Sequence, residues 1–515
     1  MTDHLDIAMF FAFVLVVLMG FPVAFSITGI AVIFAYFGWL VGEMNISLLG
    51  ALGQRVFGLI SNQVLIAIPV FILMGAILEK SKVAETLLHT MGRLFGGVRG
   101  GLGLSVVCVG ALLAASTGIV GATVVAMGLI ALPAMLRAGY RTSFASGIVC
   151  TAGTLGQIIP PSTLLIILSD VMSNAFQQAQ YLQGKFVVEA LSVGQYFAAA
   201  LIPGFVLVLL YATYIVLRSS IFPEDAPSFF EEARPTLHEV MTAILPPFGL
   251  IIAVLGSILA GVATPTEAAS VGAIGALILA SFVQGVNRWI IGTGTVSLVL
   301  VFVMSGYFPV RLQRDSLEPG SVILGLFYIG LVAAAFVAVI VALRVSVYSG
   351  LLREAANSTM TMTSMIFVTI LAASFFSLVF IGLGGEERVM GILERLPGGA
   401  TGALAFTMIF VFVLGFFLDF VEIAVIVLPL VVPQLLLMGH DPIWLGILIA
   451  INLQTSFLTP PFGFSLFYLR GAAPREVATG DIYRGVFPFI ILQILGIVSV
   501  WMFPSLSTWL PDAMF

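Results

Sequence analysis

Gly153-Thr-Leu-Gly-Gln-Ile-Ile-Pro160-Pro161-Ser162 sets a double proline inside an apolar run, and the same device returns as Leu453-Gln-Thr-Ser-Phe-Leu-Thr459-Pro460-Pro461-Phe-Gly463. Proline removes one backbone donor and clashes with the preceding turn, so two in succession end a helix and free carbonyls. Within a bilayer such carbonyls need partners, and a duplicated helix break at that depth is how secondary transporters build ion and substrate sites.

Working outward, the runs around both breaks are membrane spans. Hydrophobic residues make up 60% of the 515-residue chain and charged ones 9%. Apolar runs of roughly 17 to 25 residues, the length a helix needs to cross hydrocarbon, follow one another along nearly all of it. We expect roughly fourteen to sixteen membrane-entering segments, hairpins included, at about 20 residues per span. The runs are continuously apolar rather than alternating, so the spans are helical and not those of an outer-membrane barrel. A net charge of −5 with no long basic stretch gives no sign of nucleic-acid binding. Cys108 and Cys150 lie in apolar runs and imply neither a disulfide frame nor a metal site. The opening Met1-Thr-Asp-His-Leu-Asp6 has no positive n-region, so a retained first span is expected rather than a cleaved leader.

The two breaks belong to a longer repeat. Arg93-Leu-Phe-Gly96-Gly97-Val-Arg-Gly100-Gly-Leu102 matches Arg395-Leu-Pro-Gly398-Gly399-Ala-Thr-Gly402-Ala-Leu404 at an offset of 302, and Leu132-Pro133 matches Leu428-Pro429 at 296. Gly139-Tyr140 and Gly439-His440 each lie 21 residues ahead of their double proline, counted from the glycine. Loops of the first copy carry Lys80, Lys82, Arg93, Arg99, Arg137 and Arg141; those of the second carry Glu386, Glu387, Glu394 and Asp441 against Arg388 and Arg395. Lys and Arg favour the cytoplasmic side, so the copies should be inverted.

The same loops imply a hairpin in each copy. Residues 102 to 115 reach only about 21 Å as helix, short of a full crossing, and basic loops on both flanks return the chain to its starting side. A re-entrant hairpin with its tip at Ser116-Thr117-Gly118 satisfies both facts, with the matching tip near Leu418-Asp419-Phe420; two full spans are the alternative. The expected organisation is one or more N-terminal spans over 1–45, a first repeat over 46–190, and a connecting scaffold over 191–345 with a polar, solvated loop at 219–238. A second repeat over 346–482 and a C-terminal helix over 483–515 complete it. The fold class is an all-α polytopic membrane protein with inverted repeats, re-entrant hairpins and broken helices.

Freed carbonyls with Ser or Thr hydroxyls suit a hard cation such as sodium, and half-helix N-termini suit an anionic group. The first candidate ion site joins Ser116, Thr117 and Gly118 at the tip to Gly153, Thr154, Gly156 and Pro160 at the break. The second joins Asp419 to Thr455, Thr459, Pro460 and Gly463. Ser162, Ser116 and Thr459 are the candidate substrate contacts. The alternative is a pair of kinks in which the hydroxyls bond back to their own helices. Asp419 and Glu422, three apart on one helical face, are either a cation or proton site or the cap of a half-helix. Glu267, after Thr264-Pro265-Thr266, fits a helix start. His4, His89, His238 and His440 are scattered without ligand spacing, so no transition-metal site is expected. His238-Glu239-Val-Met-Thr breaks the His-Glu-x-x-His pattern, and no phosphate-cradling Gly-x-x-x-x-Gly-Lys-[Ser/Thr] loop exists, which excludes transport driven by this chain's own ATP hydrolysis.

Thr154-Leu-Gly-Gln-Ile-Ile-Pro-Pro-Ser162, Ile68-Pro-Val-Phe-Ile-Leu-Met-Gly75, Arg99-Gly-Gly-Leu102, Thr264-Pro-Thr-Glu-Ala-Ala269 and Leu458-Thr-Pro-Pro-Phe-Gly463 together resemble the large membrane subunit of tripartite ATP-independent periplasmic (TRAP) transporters, the DctM-like permeases. The resemblance runs from near the N-terminus to about residue 475, with extra spans near 275–345 as in a longer subgroup. It implies an elevator-type permease that imports small organic acids with sodium in a bacterial inner membrane. It also implies two partners: a periplasmic solute-binding protein and a small four-helix membrane subunit, here a separate chain. The family's Ser-Gly-Ser tip falls on Ser116-Thr117-Gly118 only loosely. Beyond Na+ as coupling ion no cofactor is implied. A self-sufficient sodium or proton carboxylate symporter, a channel and a membrane scaffold are the competing readings.

Overall fold

The computed structural model describes residues 4–118, 120–228, 235–307 and 319–515, and among the described residues every regular element is helical. Ten described helices are long and apolar enough to cross a membrane, and six shorter apolar helices accompany them. Three leading helices, α1 (Leu5–Leu18), α2 (Val23–Val41) and α3 (Ala51–Ile60), feed a first series. It comprises α4 (Gln63–Lys80), α5 (Val83–Phe95), α6 (Gly101–Thr117), α7 (Val120–Arg137), α8 (Thr142–Thr154), α9 (Thr163–Leu182) and α10 (Val193–Ile221). Four connecting helices follow: α11 (Leu237–Leu259), α12 (Pro265–Val283), α13 (Arg288–Tyr307) and α14 (Pro319–Tyr348). A second series then repeats the first. It holds α15 (Leu351–Gly382), α16 (Gly385–Glu394), α17 (Gly399–Leu414), α18 (Phe420–Glu422), α19 (Leu428–Leu437), α20 (Pro442–Leu458), α21 (Phe464–Ala472) and α22 (Thr479–Met502), and α23 (Ser505–Met514) closes the chain. Residues Ile423–Val427, between α18 and α19, are wound as a π-helix.

Both series run as a long span, a short connecting helix, a hairpin, a broken helix and a long span. Their packing is reciprocal: α7 lies on α21 and α19 on α9, while α8 lies on α22 and α20 on α10. Thr154 and Gln454, equivalent by the offset of the double prolines, touch each other at 3.4 Å. Reciprocal pairs around a self-pairing contact are the signature of a two-fold relation. α4, the broken α8–α9, α10 and the four connecting helices make an odd number of crossings, so α15 enters from the side opposite to α4 and the copies are inverted, as loop charge implied.

Each hairpin folds back on itself. The Tyr140 hydroxyl, just beyond α7, accepts from Gly103 N at 3.2 Å near the start of α6. The equivalent His440 ring lies 3.1 Å from Ala400 O near the start of α17. The two ends of each hairpin are therefore adjacent. Helix starts follow their capping signals: Thr264 and Glu267 form a capping box with Pro265 in the first turn, and Asp441 caps α20 ahead of Pro442.

The core lies in the broken helices. Phe144 to Thr154 in α8 and Ile443 to Leu458 in α20 are buried throughout. Their seams use small residues, as expected where lipid removes the hydrophobic drive for helix pairing. A Cβ added at Gly147 would stand 2.2 Å from Gly485 O, and one at Gly485 would stand 1.8 Å from Ser143 O.

The loop expected to be solvated at 219–238 is corrected in its first half, where α10 runs to Ile221. Asp225 is buried between Arg218 at 2.7 Å and Arg141 at 3.4 Å. Its backbone carbonyl also takes Arg141 N at 3.1 Å, and Ala226 O takes Gly100 N at 3.1 Å. Charge pairing with the base of the first hairpin draws this polar segment inward. Residues 229–234 lie outside those described.

Candidate functional site

In the first copy, α8 ends at Thr154, one 3-10 turn covers Leu155–Gln157, and α9 begins at Thr163. The Pro160-Pro161 peptide is cis, as is Pro460-Pro461. Pro160 and Pro161 cannot donate to the carbonyls of Gly156 and Gln157. The Ser162 hydroxyl donates to Gln157 O at 2.7 Å and so takes the place of the donor Pro161 lacks. Ser162 also caps α9, accepting from Leu165 N at 3.5 Å.

The second break is built alike. α20 ends at Leu458 and α21 begins at Phe464. Pro461 leaves Phe457 O without its helical donor, and the Ser465 hydroxyl donates to that oxygen at 2.7 Å. Thr455 and Thr459 donate to Ile451 O at 2.8 Å and Thr455 O at 2.7 Å. A hydroxyl that donates to its own helix keeps its oxygen lone pairs for another partner. Gly463 is wedged in the turn, where a Cβ would meet Phe457 O at 2.6 Å.

Both tips reach their breaks. Gly118 turns with φ +61° between α6 and α7, and a Cβ on it would lie 2.8 Å from Thr163 Oγ1 and 3.0 Å from Thr163 N. The first tip therefore abuts the N-terminus of α9, the positive end of its dipole. Ser116 and Thr117 form the last turn of α6; their side chains lie outside those described. Thr154 donates to Thr151 O at 2.9 Å, and Gly153 allows α7 to approach, with Val124 Cγ2 2.3 Å from where its Cβ would stand. Gly156 and Pro160 are buried in the break.

The second tip meets its break through Gly415, whose Cβ would stand 2.1 Å from Ser456 Oγ, and through the rings of Phe417 and Phe462, 5.4 Å apart. Asp419 takes up a capping role: it accepts from Phe420 N at 2.8 Å, while Glu422 accepts from Asp419 N at 2.8 Å. Both carboxylates line a cavity of about 280 Å³ whose lining also includes Gly20, Thr369, Phe464 and Tyr468. Thr455, Thr459, Pro460 and Gly463 are not part of that lining, so the cavity does not gather them with Asp419.

Several buried polar atoms around the first break have no hydrogen-bond partner: Thr151 Oγ1, Thr163 Oγ1, both amide atoms of Gln157, and Gln454 Oε1 across the two-fold. Apart from the quoted stretches, none of these drew notice in the sequence. The available signal was an amide or hydroxyl within a few residues of each double proline. Grouped neutral oxygens, buried and unsatisfied, are the donor set a hard cation takes. Among the described residues no group of three His, Cys, Asp or Glu side chains has metal-binding geometry.

The chain matches the family described as tripartite ATP-independent periplasmic transporter, DctM component, over residues 10–307 and 289–506. It is 28% identical to the C4-dicarboxylate TRAP transporter large permease protein DctM of Vibrio cholerae, over 97% of this chain and 96% of that one. It is 26% identical to the ectoine/5-hydroxyectoine TRAP transporter large permease protein UehC of Ruegeria pomeroyi, over 98% of each. Among solved structures, the YdaH transporter of Alcanivorax borkumensis shares its fold, with a TM-score of 0.54 at 15% identity, covering 91% of this chain and 89% of that one.

Proposed function

Because the chain belongs to the DctM component family of tripartite ATP-independent periplasmic transporters, we propose that it carries a small organic acid or zwitterion inward, coupled to sodium, through its two interrupted helices. It is a multi-pass permease of the bacterial inner membrane, the large subunit of a TRAP-type importer. The solute class follows relatives named for C4-dicarboxylates and ectoines. The partners in this reading are a periplasmic binding protein that delivers the solute and a small membrane subunit on a separate chain.

One observation carries the sodium assignment: unpartnered buried oxygens of Thr151, Thr163, Gln157 and Gln454 lie around the first break, where Pro160 also denies Gly156 O its helical donor. Ser162, at the positive end of α9, and Thr459, in the more open second break, are the substrate contacts of this reading. Ser116, Thr117, Gly118, Gly153, Thr154 and Pro160 frame the first ion site; Asp419, Thr455, Pro460 and Gly463 frame the second.

The test is uptake of labelled solute by liposomes holding the chain and its small subunit, with the binding protein outside. Uptake is expected only with an inward sodium gradient and with both partners present. Uptake driven equally well by a proton gradient without sodium would overturn the coupling ion, and uptake by the chain alone would overturn the tripartite assignment.

A further inference from the structure

A third double proline, Pro246-Pro247, sits within α11, outside both repeats. It frees carbonyls by the same logic, since neither residue can donate to Thr242 O or Ala243 O. Both of those residues line a cavity of about 380 Å³ between α5, α11 and α12. Arg93 of α5 and Glu239 of α11 also line it and lie 3.4 Å apart. Glu239 Oε2 faces Arg93 and accepts from Thr236 N, and among the described residues no donor is bonded to Oε1. The Thr242 hydroxyl donates to His238 O at 2.8 Å and the Thr86 hydroxyl to Lys82 O at 3.1 Å, so both turn acceptor lone pairs outward.

Apart from Thr90 the remaining wall is apolar, formed by Val83, Pro246, Pro247, Leu279, Phe282 and Val283. Depth is set by the chain on either side: Lys80, Lys82 and Arg99 flank α5 on the basic side of the protein. Leu237, Met241 and Leu245 are exposed on α11, so the cavity adjoins an exposed apolar face on that basic side. Its described lining thus combines a cation, a carboxylate, two carbonyls without helical donors and a largely apolar wall.

We propose that this cavity is a binding site for a phospholipid with an amino headgroup, such as phosphatidylethanolamine. The phosphate lies on Arg93, the ammonium on Glu239 Oε1 and the freed carbonyls of Thr242 and Ala243, and an acyl chain on the proline and phenylalanine wall. A purely anionic headgroup fits less well, because Glu239 stands beside the phosphate position with no ammonium to meet it. A soluble phosphoamine lacks the chain that the apolar wall receives. Basic pockets at the cytoplasmic level are established headgroup sites, and here the paired carboxylate selects within that class.

The experiment is native mass spectrometry of the delipidated chain in detergent, with phosphatidylethanolamine, phosphatidylglycerol or free phosphoethanolamine added in turn. Wild type is expected to retain one phosphatidylethanolamine roughly ten-fold better than phosphatidylglycerol, the scale of one charge-assisted hydrogen bond, and to ignore phosphoethanolamine. Glu239→Gln, which keeps the capping box, should equalise the two lipids. Arg93→Gln should lose both, and Ala243→Leu, which fills the cavity, should do the same without touching a charge. Equal retention of both lipids by wild type, retention of phosphatidylethanolamine unchanged in Ala243→Leu, or binding of phosphoethanolamine alone would each overturn the site.

Discussion

From Leu155 to Thr163 the first break is closed off, with only Ile159 half-buried, whereas in the second Thr459 and Pro460 are half-buried and Pro461 and Phe462 exposed. Both use a serine hydroxyl to fill the carbonyl that the second proline abandons. The backbone problem and its remedy are shared, then, while access is not. The enclosed copy keeps unpartnered amide and hydroxyl atoms; the open copy has a capping box and a cavity. Duplication preserved the device that interrupts a helix, while the surroundings of the two interruptions diverged in burial and polarity.

The largest expected effect lies in the seams that hold the two breaks. Gly485→Ala sets a Cβ 1.8 Å from the backbone oxygen of Ser143, which cannot rotate away. A loss of about 3 kcal/mol, the upper range of overpacking, should appear as a large fall in melting temperature in detergent. In the reciprocal seam, Gly446→Ala meets the ring of Tyr196 at 2.5 Å, and the ring can shift, though its hydrogen bond to Pro442 O is then disturbed. About 1 kcal/mol is expected there. Equal losses would mean that the two seams tolerate volume alike.

Next come the tips. Gly118→Ala puts a side chain at φ +61°, a strain of roughly 1–2 kcal/mol, and drives it into Thr163 Oγ1 at 2.8 Å. Folded protein should be recovered, with sodium-driven uptake falling more than about ten-fold as the tip leaves the α9 terminus. Gly415→Ala carries no such strain, because that residue is right-handed at φ −63°; it meets the Ser456 hydroxyl at 2.1 Å, which can rotate, and Ser456 Cβ at 2.7 Å, which must shift with its helix. A smaller fall in uptake is expected, and the reverse ranking would place the more demanding contact in the second copy.

The double prolines, the spacing of four anchors and the sign of the loop charges made the repeat, the breaks and both tips legible in the chain. What stayed hidden depends on contacts between distant segments. Ser162 follows its prolines directly, but position 462 is phenylalanine, and the serine that serves Phe457 O lies three residues further on. No local window shows that equivalence. Asp225 looked solvated because Arg141 and Arg218 reach it only after the hairpin has folded. The cavity beside Asp419 needs Gly20 and Tyr468, which the sequence places 448 residues apart.

Asp419 then tests what the open copy uses its carboxylates for. Asparagine caps a helix about as well as aspartate, so Asp419→Asn should leave the melting temperature unchanged, and Asp419→Ala should cost about 1 kcal/mol. A several-fold loss of uptake in the asparagine variant is the expected result if charge matters at the tip. Full uptake there would reduce the carboxylate to a cap.

The smallest change probes the enclosed break from across the two-fold. Gln454 gives Thr154 one long hydrogen bond at 3.4 Å and leaves its Oε1 buried without a partner. An unsatisfied acceptor costs roughly 1–3 kcal/mol, and replacement by an apolar group of similar shape removes that cost together with the weak bond. Gln454→Leu is therefore expected to match or slightly exceed wild type in stability while raising the sodium concentration needed for half-maximal uptake. Such a pairing of gained stability with weakened ion response is what an oxygen held open for a cation predicts. An unchanged sodium response would make the glutamine a packing residue and confine ion binding to the side of the break facing Gly118.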